Sequence, residues 1–225
     1  NAFAYTQVFA GTGADTIIAS AGTDYIDGGA DIDTLSYASV SGPVTVDLSF
    51  AGQQNTVGGG LDQITQIEDL IGSNFGDTLT GDDNANRVSG GASADMISAA
   101  GGGDTLIGGA GADTQGGGTG NDVFLIAAGD LVVGASIDGG ADTDRLEFAA
   151  GVHSLAGATL ANVEQIALTG AGATTVTLSN AAQALLFTSS VGSDDTVTFG
   201  GDFTPAQIAA LAAAGIEHLR VVSNG

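Results

Sequence analysis

Hydrophobic positions follow a nine-residue period over two stretches of this chain. Set out from residue 10, AGTGADTII, ASAGTDYID and GGADIDTLS abut without a gap. The register breaks at residue 37 and resumes at 72 with GSNFGDTLT, GDDNANRVS, GGASADMIS, AAGGGDTLI, GGAGADTQG and GGTGNDVFL, ending at Leu125. A tenth unit, GGADTDRLE, stands alone at 139–147. Position eight holds Ile17, Ile26, Leu35, Leu79, Val88, Ile97, Leu106, Phe124 and Leu146, with Gln115 the exception. A loop of small residues followed by a three-residue strand with a central hydrophobe predicts a solenoid, because each half-turn exposes its apolar side chain until neighbours stack on it.

The remaining patterns read as longer strands and one helix. Val44, Val46 and Leu48 alternate, which predicts a strand. The segment ITQIEDLIGS then feeds into the repeat at Gly72, and a similar ANVEQIALTG recurs at 161–170, so both are expected to be wider rungs of the same solenoid. Glu68 and Glu164 in these segments could ligate an ion, and the leading expectation is that they are solvated strand positions. Beyond residue 126, strands are expected over 131–137, 174–179, 184–190 and 195–200. Residues 204–215 predict a helix, with Thr204 as N-cap, Pro205 at the first helical position, Gln207 completing a capping box and Gly215 as C-cap; the strand IEHLRVV follows. A solenoid needs a cap over its last apolar rung, and this segment is placed to supply it. The expected organisation is a repeat-bearing roll over 1–125 with a wider insertion at 37–71, then a β-helical continuation and cap over 126–225.

Position six carries the chemistry. It is Asp15, Asp24, Asp33, Asp77, Asp95, Asp104, Asp113, Asp122 and Asp144, with Asn86 the one substitution. Of the chain's 26 acidic residues 22 are Asp, which belongs to turns, whereas solvating helix faces would favour Glu. Against them stand only Arg87, Arg145 and Arg220, for a net charge of -23. Such a chain is unsuited to nucleic acid or anionic lipid, and its natural partners are cations. No Cys is present, so disulfides and thiolate metal sites are excluded. The longest apolar run, about nine residues near Ile208 to Ile216, falls short of the roughly 20 that a membrane-spanning helix needs, so no membrane insertion is expected. The start NAFAYTQVF lacks a Sec-type signal, and an opening at Asn1 is expected of a fragment or a processed chain.

These units resemble the nonapeptide of the RTX (repeats-in-toxin, hemolysin-type) calcium-binding family, whose members leave Gram-negative bacteria through type I secretion. GGAGADTQG and GGTGNDVFL fit its loop pattern fully. Asp31 and Asp142 depart from it, standing where the fourth-position Gly belongs, and 19–27 lacks the first Gly pair; weaker sites are expected there. The resemblance implies an all-β fold, a right-handed parallel β-roll or β-helix solenoid, here with a short C-terminal helix–strand cap. It implies several calcium ions, each between one loop and the next on the same edge, pairing Asp15 with Asp33, Asp77 with Asp95, Asn86 with Asp104, Asp95 with Asp113, and Asp104 with Asp122. The expected metal-site residues are these carboxylates with Asp24, Asp31, Asp142 and Asp144, and the loop glycines Gly11, Gly13, Gly29, Gly91, Gly102, Gly109, Gly111, Gly118 and Gly120. Calcium suits such loops because it takes six to eight oxygen ligands in irregular geometry, many of them backbone carbonyls. The competing reading is a metal-free β-helix in which Asp, Asn and Gly only form turns.

Catalytic patterns are few. His153 and His218 are not spaced as HExxH, and no GxSxG occurs. His153, after Gly151-Val152, is expected in an exposed turn, and the pairs Asp82-Asp83 and Asp194-Asp195 are read as calcium or solvent contacts. The chain is therefore expected not to be an enzyme. The leading expectation is a calcium-binding structural module of a secreted or cell-surface protein of S-layer or adhesin type, folding on calcium after export through the type I machinery. Self-assembly or a cell-surface polysaccharide are the further partners of that reading. The alternative is the C-terminal RTX module of an exported hydrolase whose catalytic domain lies outside this sequence.

Overall fold

A computed structural model describes residues 5–192 and 194–221. The chain winds as a parallel β-solenoid. The chain passes repeatedly between a nine-stranded sheet and three smaller ones, and the strand pairs are parallel except for Gln53–Asn55 against Leu61–Thr65. The nine-stranded sheet runs in chain order through Thr16–Ile18, Thr34–Ser36, Asp69–Ile71, Arg87–Ala92, Thr105–Ala110, Val123–Ile126, Arg145–Phe148, Gln165–Leu168 and Phe187–Ser190. Thr45–Asp47, Thr78–Thr80, Met96–Ser98, Thr114–Thr119, Ser136–Ala141 and Thr159–Ala161 form the six-stranded sheet. Four-stranded sheets complete the N-terminal and C-terminal ends.

The register follows from the nonapeptide. Two units make one turn, so Thr105 pairs with Val123 and Met96 with Thr114, in both cases 18 residues apart. Position eight then stacks on itself. Val88, Leu106, Phe124 and Leu146 form one buried row and Leu79, Ile97, Gln115 and Ile137 another. One hydrophobic cluster runs from Ile17 to Ile216.

The interruption at 37–71 does not break the solenoid. Asp69–Ile71 pairs with Thr34–Ser36 on one side and Arg87–Ser89 on the other, so the wide rung bridges the two repeat blocks. Likewise Arg145–Phe148 pairs with both Val123–Ile126 and Gln165–Leu168, so the unit at 139–147, isolated in the sequence, is continuous with its neighbours in space.

At the C-terminal end, the helix Pro205–Ala213 starts from Thr204 with both capping-box hydrogen bonds formed. Its C-cap is Ala214, and Gly215 lies one residue beyond in the left-handed region at φ 89°. The helix buries Leu211 and Gln207, packing against a 3-10 helix, Ala181–Leu186, and the last strand of the long sheet. That 3-10 helix takes residues 184–186 from the strand expected at 184–190; its Asn180-x-x-Gln183 capping box was readable in the sequence. The strand expected over 131–137 begins only at Ser136, because Gly134, at φ 97°, and the Ala135 N–H bond to the Val132 carbonyl form a turn. Among the described residues no helix is long and apolar enough to cross a membrane.

Candidate metal centre

The six residues before each short strand carry the chain around the edge of the solenoid. Gly11, Gly13, Gly29, Gly91, Gly102, Gly109, Gly111, Gly118 and Gly120, at positions two and four of their units, all have positive φ. The requirement is sharpest where turns stack. A Cβ on Gly109 would stand 2.1 Å from the Gly91 carbonyl oxygen, and one on Gly120 would stand 1.6 Å from that of Gly102. Asp31 and Asp142 keep the fourth-position shape at φ 79° and 82°. Their side chains tie neighbouring turns together: Asp31 Oδ2 accepts the Gly13 N–H at 3.0 Å, and Asp142 Oδ2 accepts that of Gly120 at 3.1 Å.

Position six forms a ladder of its own. Apart from that of Asp113, each backbone N–H there donates to a carboxylate oxygen one turn further on. Along the turns entering the nine-stranded sheet, Asp15 donates to Asp33 (2.8 Å), Asp33 to Glu68 (2.9 Å), Asn86 to Asp104 (2.7 Å), Asp104 to Asp122 (2.8 Å), Asp122 to Asp144 (2.9 Å) and Asp144 to Glu164 (2.9 Å). On the other sheets, Asp24 donates to Asp62 (3.1 Å), Asp77 to Asp95 (2.8 Å), Asp95 to Asp113 (2.9 Å), Thr174 to Asp195 (2.7 Å) and Asp195 to Glu217 (2.9 Å). All five pairs expected from the sequence are thereby brought together. Glu68 and Glu164 are not strand positions, however; each stands in the turn before its strand and extends the ladder. Asp62, Asp195 and Glu217 also belong to it. Their shared signal is an acid two residues before a hydrophobe, as in Asp62-Gln63-Ile64, Glu68-Asp69-Leu70 and Glu164-Gln165-Ile166, the spacing of the nonapeptide, which Glu68 and Glu164 keep without its glycine loop.

The paired Asp residues are read differently once placed. Asp82 accepts the N–H and side-chain amide of Asn84 in a local turn, and Asp194 lies 3.6 Å from His218, while Asp195 is buried in the ladder. His153 is not exposed: strand alternation turns Val152 outward and His153 inward, edge-on to Phe148, with Nε2 2.8 Å from the Ala149 carbonyl. Burial holds its pKa below the usual histidine range.

The second carboxylate oxygen defines the electrostatics. Among the described residues no hydrogen-bond partner reaches the buried Oδ2 of Asp33, Asp95, Asp104, Asp122 and Asp144, or that of the half-buried Asp15. A buried, half-satisfied carboxylate is costly unless a positive charge reaches it. Burial accordingly pushes Asp95 and Asp104 up to about 7 and Asp122 up to about 6, against the backbone N–H bond that lowers them; adjacent ladder carboxylates raise all three further. Asp113 and Asp144 are raised for the same first reason.

Beside these oxygens the position-one glycines leave a cradle. A Cβ on Gly28, Gly90, Gly117 or Gly139 would lie 2.2–2.7 Å from the orphaned Oδ2 and 1.9–2.7 Å from a carbonyl oxygen of the next turn, contributed by Gln66, Gly108, Gly139 and Asn162 in turn. Among the described residues no three acidic or histidine side chains gather to hold a metal by themselves. The donor set is instead one carboxylate per turn with backbone carbonyls, all hard oxygen, which fits calcium rather than a softer transition metal. The bound ion would supply the positive charge that the orphaned oxygens lack.

Parallel rungs, stacked glycine turns and a carboxylate ladder define a cation-binding β-solenoid. The family model for the RTX calcium-binding nonapeptide repeat (4 copies) matches residues 7–35, 71–106 and 92–124, so these stretches carry RTX nonapeptide repeats. The chain's fold is the structural calcium-binding β-roll of those repeats. No curated protein matches the chain.

Proposed function

We propose that this chain is a calcium-binding structural module of a secreted or cell-surface protein, of the S-layer or adhesin type, that folds when it meets calcium outside the cell. The observation that carries this is the row of buried carboxylates whose second oxygens have no partner beside carbonyl-lined cradles. Asp33, Asp95, Asp104, Asp122 and Asp144 are the principal side-chain ligands, with Asp15 at the N-terminal end, and Glu68 and Glu164 extend the set where the nonapeptides stop.

Energetics support coupling of folding to the ion. Ordering each nonapeptide loses backbone entropy that the burial of its one aliphatic residue does not by itself offset. Extracellular calcium modules bind with Kd of about 0.1 to 1 mM, so in a calcium-poor cytoplasm the chain stays open, a state suited to the type I export channel. No role as an enzyme is assigned to it.

Magnesium is the discriminating control, since it demands near-ideal octahedral geometry and holds its waters. Far-UV circular dichroism is expected to show β structure on calcium titration and much less with magnesium at equal concentration. Full β structure in EDTA, or equal folding by magnesium, would contradict the proposal.

A further inference from the structure

The carboxylates of the ladder are buried alike but are not satisfied alike. Asp24, Asp62, Asp77 and Asp195 are 0–5% exposed, the same range as Asp33, Asp95, Asp104, Asp122 and Asp144 at 0–3%. In the first set a hydroxyl reaches the carboxylate. Ser20 donates to Asp24 Oδ2 at 3.0 Å, and Thr56 and Tyr37 donate to Asp62 Oδ2 at 2.7 and 3.2 Å. Ser73 donates its hydroxyl to Asp77 Oδ1 at 2.8 Å while its backbone N–H serves Oδ2, and Ser190 donates to Asp195 Oδ2. In the second set no donor reaches Oδ2. Burial is equal, so the difference lies in the donors.

Two of these donors hold a fixed place in the repeat. Ser20 and Ser73 stand at position two of their units, where most units have Gly. A serine there lies four residues before the position-six carboxylate and folds back on it. A hydroxyl hydrogen bonded to a carboxylate answers part of its charge with a dipole and occupies the lone pair that a cation would use.

We propose that in this chain a hydroxyl, joined at Asp77 by the Ser73 backbone N–H, takes the place of the cation at Asp24, Asp62, Asp77 and Asp195, so that calcium is held at Asp33, Asp95, Asp104, Asp122 and Asp144, with Asp15 at the N-terminal end, and not at those four. Four of those five precede strands of the nine-stranded sheet. Four of the five calcium sites therefore line one edge of the solenoid, with Asp95 on the opposite edge, whose N-terminal part, through Asp24, Asp62 and Asp77, is held by protein donors alone. This inference rests on the calcium-binding reading above and assigns which turns take the ion.

Calcium alone is the probe, with the full chain, counting bound ions by native mass spectrometry and calorimetry. D77N and D24N are expected to bind as many ions as the parent, and D104N at least one fewer. S20G, which removes the hydroxyl from Asp24 Oδ2 and places the repeat's glycine at position two, is expected to gain one ion; S190A, which removes the hydroxyl from Asp195 Oδ2, provides the same test should S20G not fold. If D77N and D24N lose ions as D104N does, or if the serine variants gain none, the hydroxyl rule is overturned while calcium binding stands. A parent chain that binds no calcium overturns both.

Discussion

At position eight of the fifth contiguous unit of the second block, Gln115 replaces the hydrophobe that every other unit places inward. It is buried between Ile97 and Ile137 with its carbonyl oxygen unpartnered. An unsatisfied buried polar group costs about 1 to 3 kcal/mol, so Gln115→Leu is expected to stabilise the calcium-bound chain by that order, read as a rise in denaturant midpoint at unchanged slope. Asp144 is the second residue to reconsider. Its sequence isolation suggests a minor role, yet it accepts from Asp122, donates to Glu164 and has an orphaned oxygen. Asp144→Asn is therefore expected to raise the calcium midpoint about as much as Asp104→Asn. A shift at Asp104 alone would show that the ladder ends before residue 144.

Among the elements, the C-terminal cap concentrates its contacts in Gln207. The side chain closes the capping box by accepting from Thr204 at 2.8 Å, and its Nε2 donates to the Ala181 carbonyl at 2.6 Å, tying helix to 3-10 helix. Gln207→Ala should cost about 1 to 2 kcal/mol for the lost cap and bridge, and Leu211→Ala about 2 to 5 kcal/mol for a core cavity, both measurable by thermal unfolding in calcium. Ile208 and Leu219 are partly exposed, so the rung beneath is covered by Leu211, Ala214 and Ile216 instead. The helix was legible because Thr204, Pro205, Gln207 and Gly215 each carry a local signal. The late start of the strand at Ser136 was not, since Leu131, Val132 and Val133 have strand-like composition and only the turn at Gly134 leaves Val133 exposed. Glu68 and Glu164 were misread for a related reason: a one-residue difference in where a strand begins moves an acid from the sheet face into the turn.

Across the molecule, periodicity yielded the solenoid, because nine-residue units with one inward hydrophobe must stack to bury it, and the resemblance to the RTX nonapeptide implied the pairing of alternate loops. Which carboxylates are satisfied could not be read that way; it depends on hydroxyls of Ser20, Thr56, Tyr37, Ser73 and Ser190, most of them outside the repeat pattern. The summed electrostatics have a consequence for pH. Asp95, Asp104 and Asp122 have folded-state pKa values of about 7, 7 and 6, raised by burial above the ordinary 3.8. Without calcium, the folded chain binds more protons than the unfolded one between about pH 4 and 7, so stability is greatest below that window and falls as pH rises through it. Calcium-free protein is thus expected to show more β structure near pH 5 than near pH 8, and calcium to remove the deficit at pH 8; the opposite order by circular dichroism would mean these carboxylates are not buried in the metal-free fold.

The most direct measurement is a crystal structure grown in calcium, with anomalous difference density used to place the ions. Peaks are expected beside Oδ2 of Asp33, Asp95, Asp104, Asp122 and Asp144, each also within ligand distance, about 2.3 to 2.6 Å, of a carbonyl oxygen from the neighbouring turn. Turns without peaks at these five carboxylates, in a chain folded with the same register, would contradict the assignment of calcium to the ladder.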